Sequence, residues 1–208
     1  TIIINSLYET SIKHDNLYSG YKYEAIRPDV IAFSSIQVNK SAEINKKKLR
    51  LLVCFGGTDP NKFMYRVPKI LLELDALLEQ EIEVRIIYSI NKNNLIEFNS
   101  NLYRFIDTKT ISHTSIIANE LHQSDIVLCG NGRMVYEAVV LNNIVISIPQ
   151  NSRETTHTFC RDMPGNSQLP LHQLVKDNEV AQAINDKIKD FGNQKNNKKL
   201  IYLQNRVR

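Results

Sequence analysis

The chain has 208 residues, 26 Lys and Arg against 22 Asp and Glu for a formal charge of +4, and 42% hydrophobic residues. That balance belongs to an ordinary folded domain and excludes disorder for most of the chain. No apolar run approaches the ~18 residues that would cross a bilayer, and no signal peptide pattern opens the chain, so a cytoplasmic protein without a membrane span is expected. The small positive excess, without interleaved aromatic residues, gives no nucleic-acid footprint.

The first segment starts at Thr1 and enters Ile2, Ile3 and Ile4 with no initiator Met, which reads as a cut from a longer protein. A strand at 2–5, a loop bearing Tyr8, Tyr18, Tyr21 and Tyr23, and the Arg27-Pro28 stop lead into a linker-like tract from Ser34 to Lys48. Residues 1–38 are therefore expected to be the remnant of a preceding domain and its linker, and 39–208 a domain of their own.

From Asn39 onward, short apolar runs alternate with amphipathic stretches. Strands are expected at 49–55, 83–88, 102–106, 125–129 and 144–148, and helices at 61–80, 91–98, 113–122, 132–141, 179–190 and 198–207. The apolar runs do not alternate with polar residues, which suits strands buried on both faces. Strand and helix in turn predict an α/β, Rossmann-like parallel sheet with helices on both faces. The three cysteines, Cys54, Cys129 and Cys160, have neither disulfide-framework nor zinc spacing and read as buried thiols.

Three segments at strand ends could carry chemistry. In Cys54-Phe55-Gly56-Gly57-Thr58-Asp59-Pro60, glycine backbone and a helix start suit a phosphate, or else form a plain turn in which Asp59 caps the helix. In Gly130-Asn131-Gly132-Arg133-Met134-Val135-Tyr136-Glu137 the same design recurs, so both loops face one cleft. Glu137 either accepts ribose hydroxyls or merely complements the positive helix end. The loop 149–159, with Gln150, Asn151, Arg153 and His157, either grips a sugar or phosphate or is a solvated surface loop. Nothing matches a hydrolytic triad or a paired-carboxylate site.

The ordered motifs GGTDPNK, FIDTKTI, SDIVLCGNGRMVYEAVVLNNIVISIPQN and RETTHTF resemble the C-terminal, nucleotide-binding half of GT-B-type proteins. The likeness is greatest to the UDP-2,4-diacetamido-2,4,6-trideoxy-β-L-altropyranose hydrolases of pseudaminic acid synthesis and the related spore-coat polysaccharide biosynthesis proteins. It is more distant to the UDP-N-acetylglucosamine transferase of lipid II synthesis. The resemblance extends to Ile3–Glu9 and Tyr23–Pro28, which look like the family's passage between its two domains.

The resemblance implies Gly56, Gly57 and Thr58 beside a diphosphate, with Asn131, Gly132 and Arg133 facing the same phosphates. It implies Glu137 on the ribose hydroxyls, Phe105 and Ile106 against the uracil, and Asn151 and His157 near the sugar or phosphate. The partners implied are UDP or a UDP-sugar and an N-terminal catalytic domain whose His activates water. None of His14, His113, His122, His157 and His172 takes that His's place, so no catalytic residue is assigned, and no metal or other cofactor is implied. The stretch Arg161–Leu174 departs from the family's Gly-rich turn. A UDP-sugar hydrolase portion is the first expectation. A glycosyltransferase donor domain, or a non-catalytic domain fused to a sugar cytidylyltransferase, are the alternatives.

Overall fold

The computed structural model describes residues 2–7, 12–35, 48–56, 59, 61–87, 102–111 and 117–192. Its centre is a six-stranded parallel sheet of β3 (Leu49–Cys54), β4 (Ile82–Ile87), β5 (Ile106–Ile111), β6 (Ile126–Gly130), β7 (Ile144–Ile148) and β8 (Ser167–Gln168). The spatial order is β5-β4-β3-β6-β7-β8. Two short strands, β1 (Ile3–Asn5) and β2 (Leu17–Ser19), form a separate parallel pair. The helices are α1 (Pro28–Ser35), α2 (Val67–Asp75), α3 (Ile117–Gln123), α4 (Met134–Val140), α5 (Phe159–Asp162) and α6 (Asp177–Gly192).

Successive residues of each central strand enter opposite cores. Leu51 and Val53 of β3 pack with Leu128 of β6 and with α2 and α6 on one face. Leu52 and Cys54 pack with Val127 and Cys129 and with α1, α3, α4 and α5 on the other. Burial on both faces is why these runs lack alternation. All three cysteines are buried and free, and burial raises each thiol above its ordinary range, Cys160 to about 11.

Three expectations need correction. The stretch expected as one helix from 61 begins as a 3-10 turn, Phe63–Arg66, and becomes α-helical only at Val67. Pro68 is the reason: it has no N–H and its ring excludes a preceding α-helical turn, but it fits the first turn of a new helix. Pro28, read as a stop, likewise opens α1, whose Val30 is fully buried and which packs on α3 and α4. The strand expected at 102–106 lies instead at Ile106–Ile111. Before it, the N–H groups of Arg104 and Phe105 donate to the Asp75 carboxylate at 2.9 and 2.7 Å, so the apolar Leu102–Phe105 run is a turn against the end of α2. Helix 113–122 begins, within the described residues, at Ile117. The helices expected at 91–98 and 198–207 lie outside the described residues.

One face of the sheet carries a half-buried ionic cluster around the buried Glu83. Arg85 donates to Glu83 at 2.7 Å and to Glu120 and Gln123 at 2.8 Å each, while Lys109 and Arg50 also approach Glu83. Burial alone would raise the Glu83 carboxyl, but hydrogen bonds from Arg85 and Lys109 and the charge of Arg50 outweigh it and hold the group below its ordinary range. Removing Arg85 takes the main partner from the buried Glu83 carboxylate, so Arg85→Met is expected to cost about 2 kcal/mol in urea unfolding at neutral pH, less than in a fully buried pair. A carboxyl with a depressed folded pKa stabilises above its unfolded pKa and loses that contribution as acid protonates it. The gap between wild type and Arg85→Met therefore narrows below about pH 4.

Candidate functional site

The strand order reverses between β3 and β6: the chain passes from β3 outward to β4 and β5, then returns to β6 on β3's other side. α2, which follows β3, lies on one face, and α4, which follows β6, lies on the other. The connections leaving the two strands thus part, and a crevice opens at their carboxyl ends, where ligands of open α/β sheets bind. Cys54 pairs in register with Cys129, which places Phe55-Gly56 and Gly130-Asn131 side by side at its mouth.

The first loop turns at Gly56, whose φ of 80° is left-handed and favours glycine, and a Cβ there would meet nothing within 4 Å. Asp59 has both carboxylate oxygens engaged, by the N–H groups of Phe63 at 3.0 Å and Met64 at 2.9 Å. Its carboxylate thereby satisfies the first N–H groups of the 3-10 turn Phe63–Arg66. Gly57, Thr58 and Pro60 lie outside the described residues.

In the second loop, Asn131 is 2% exposed and its side-chain amide donates to the carbonyls of Glu154 and His157, at 2.8 Å each. His157, also buried, pairs its Nδ1 with the Asn131 carbonyl at 2.7 Å, which requires the proton on that nitrogen. Glu154 Oε2 accepts the N–H groups of Asn131 at 3.0 Å and Gln150 at 2.9 Å. Asn61 of the first loop donates to the Gln150 carbonyl. All three loops are therefore one hydrogen-bonded rim. A Cβ at Gly130 would stand 3.4 Å from the Gln150 side chain, whereas one at Gly132 would meet nothing within 4 Å. Gly132 faces open space above the crevice.

Asn151 is exposed, and its Oδ1 accepts the Glu154 N–H at 3.0 Å, closing the turn that presents Glu154. Arg133 is largely exposed, with Nε 3.2 Å from Glu24 Oε1. Glu137 stands on the same face of α4 and is 9% exposed. Burial raises its carboxyl, an effect that Arg27, with Nε 3.1 Å from Oε1, only partly offsets. Phe105 and Ile106 are not part of this gathering. The Phe105 carbonyl accepts the Ile82 N–H where β4 begins, and Ile106 pairs with Ile82, so both sit at the amino edge of the sheet. The carboxyl end of β5 is Ile111, and 112–116 beyond it lie outside the described residues.

Asn61, Gln150 and Glu154 connect the loops, and Glu24 and Arg27 meet α4. Sequence reasoning assigned none of the five such a part. Only Glu154 carried a local signal, an Asn three residues before an acid, which marks a side-chain-capped turn. Among the described residues no group of three or more His, Cys, Asp or Glu could hold a metal ion, and no helix is long and apolar enough to cross a membrane.

No protein-family model matches the chain, and no curated protein sequence does. Solved structures do match it in fold. MurG of Acinetobacter baumannii superposes with a TM-score of 0.62 at 12% identity, over 90% of this chain and 51% of that one. WaaG, a glycosyltransferase involved in lipopolysaccharide biosynthesis, gives 0.56 at 12% identity over 85% and 48%. The UDP-GlcNAc 2-epimerase of Neisseria meningitidis, bound to UDP-GlcNAc, gives 0.53 at 12% identity over 94% and 51%. The chain spans about half the length of these structures. Its fold is thus α/β, Rossmann-like, and that of one half of the GT-B architecture found in glycosyltransferases.

The Asn131 amide links two buried carbonyls, and its loss strands both. Asn131→Ala is expected to lower stability by about 2 to 3 kcal/mol and to speed amide hydrogen exchange across 150–158, read by mass spectrometry. Glu137 behaves oppositely. A carboxyl with a raised folded pKa stabilises only while protonated, and that contribution is lost as pH rises through the folded value. Melting temperatures followed from about pH 4 to pH 8 should therefore shift steadily in favour of Glu137→Gln relative to wild type.

Proposed function

We propose that this chain is the nucleotide-sugar-binding, C-terminal half of a GT-B-type enzyme acting on a UDP-sugar in surface-polysaccharide synthesis. The observation that carries the reading is the placement of Glu137. A buried carboxylate with a raised pKa stands beside the crevice at the reversal point of a parallel sheet, and a perturbed titratable group in a cleft is a functional-site candidate. A carboxylate accepts two hydroxyl hydrogen bonds from a ribose diol. Gly56, Gly132 and Arg133 border the place where the diphosphate would follow, with Arg133 supplying charge, and the motif resemblance would add Gly57 and Thr58. The rim of Asn131, Asn151, Glu154 and His157 then shapes the sugar end. The epimerase that shares this fold is bound to UDP-GlcNAc, which supports the nucleotide-sugar class.

For the reaction itself, the motif order supports a hydrolase of the nonulosonic, pseudaminic-type pathway, in which water takes the place of UDP on the sugar. The water-activating His would come from an N-terminal domain that completes the cleft. Transfer to an acceptor hydroxyl is the second reading, favoured by the glycosyltransferase WaaG among the structures of this fold. Either reaction uses the same donor half, and the residues of this chain bind and orient rather than break bonds.

Calorimetric titration of the purified chain with UDP, UMP and CMP tests the reading. UDP is expected to bind with a Kd of about 1 mM or tighter, ahead of UMP and CMP, and Glu137→Ala to weaken it about tenfold or more. Absence of any UDP binding, or indifference to Glu137→Ala, would overturn it.

A further inference from the structure

The segment that precedes α1 reaches the candidate site with two charged side chains. Glu24 lies against Arg133 and Arg27 against Glu137, so the residue that opens α4 and one a turn further on each meet an opposite charge from the same short strap. The strap is fixed at both ends. Tyr21 contacts Phe159, which stacks on Tyr136 of α4 at 4.2 Å, and Val30 of α1 is fully buried in the adjoining core. Arg27 is thereby held over the face of α4 that carries Glu137.

The contact has the wrong form for a structural staple. Nε and Nη2 of Arg27 are enclosed by the protein, yet neither makes an aligned hydrogen bond, although Nε is 3.1 Å from Glu137 Oε1 and Nη2 3.3 Å from Asp29. Enclosing donors without aligned acceptors opposes folding. What the contact does supply is a positive charge beside a buried carboxylate. The charged groups facing that carboxylate are Arg27 and Arg133, opposed by Asp29 and Glu24.

We propose that Arg27 is a positioning residue for nucleotide recognition: its guanidinium charge beside Oε1 favours the carboxylate form of Glu137 that a ribose diol would meet. This rests on the UDP-sugar reading above. The strap is thus part of the ribose site although it precedes the sheet in the chain. Without Arg27, only the more distant Arg133 charge opposes burial and the neighbouring acids at Glu137, so the carboxylate is lost at a higher pH.

The test measures binding of UDP and of 2′-deoxy-UDP from about pH 5 to pH 8 to wild type, Arg27→Ala, Arg27→Lys, Glu137→Gln and the double variant Arg27→Ala/Glu137→Gln. Wild type is expected to prefer UDP, and Glu137→Gln to lose that preference at every pH. Arg27→Ala should weaken UDP about tenfold near pH 6 and move the acidic fall-off of binding upward, while Arg27→Lys restores most of both. The double variant should be no worse than Glu137→Gln alone. If wild type and Glu137→Gln behave as stated while Arg27→Ala leaves the pH profile unmoved, tightens UDP, or weakens both nucleotides equally, Arg27 has no positioning role and the donor-site reading stands. If wild type binds no UDP, or Glu137→Gln leaves the preference intact, the donor-site reading fails and the role of Arg27 fails with it.

Discussion

The pairing of β3 with β6 is the constraint on which the rest of the molecule depends. These neighbours are distant in sequence, and both are buried on both faces, with Leu52, Val53, Val127 and Cys129 at 0% exposure. Such strands cannot end in contact with water along their length, so the chain meets solvent only in the connections at their ends. Because the helices that follow go to opposite faces, those connections separate. The crevice is a consequence of topology before any polar residue is placed in it.

What turns a gap into a defined site is the polar rim. Asn131, Gln150 and His157 are buried, and buried polar groups are unfavourable unless each finds a partner. Here the Glu154 carboxylate and the Asn131 amide satisfy one another's backbones and draw the loops after β3, β6 and β7 into a single network. A network of this kind is stiff, since loosening any member leaves several groups without partners. A rim of this kind is set in advance, which would lower the ordering cost of the binding proposed above.

Glu137 represents the opposite choice. The fold would gain from an uncharged residue there, because burial disfavours the carboxylate and the Arg27 charge offsets that only in part. Retaining that charge next to a crevice lowers stability, and the nucleotide role proposed above would give a reason for keeping it. The ionic cluster around Glu83 shows the contrast: there hydrogen bonds from Arg85 and Lys109 more than compensate for burial, and the carboxyl is held low. Two buried glutamates in one domain thus have opposite electrostatic fates, decided by what surrounds each.

Local pattern determined much of this protein. The apolar runs beginning at Leu49, Glu83, Asp125 and Ile144 are strands because no helix or exposed strand would hide so many β-branched residues, and their alternation with helical stretches implied the parallel sheet. The glycines at 56, 130 and 132 likewise marked strand-end loops. Pattern misled where an edge or a proline intervened. β5 reads as polar because an edge strand keeps one side in water, and Pro28 opens a helix only because Val30 finds a core to fill. Only the tertiary structure decided that Asn61 meets Gln150, that Glu154 meets Asn131 and that Arg27 meets Glu137. Those contacts join residues whose own neighbourhoods are unremarkable, and a hydrogen bond between distant loops has no period or cap to announce it. The fold was written in local chemistry; the site's internal geometry came into being when the sheet brought its ends together.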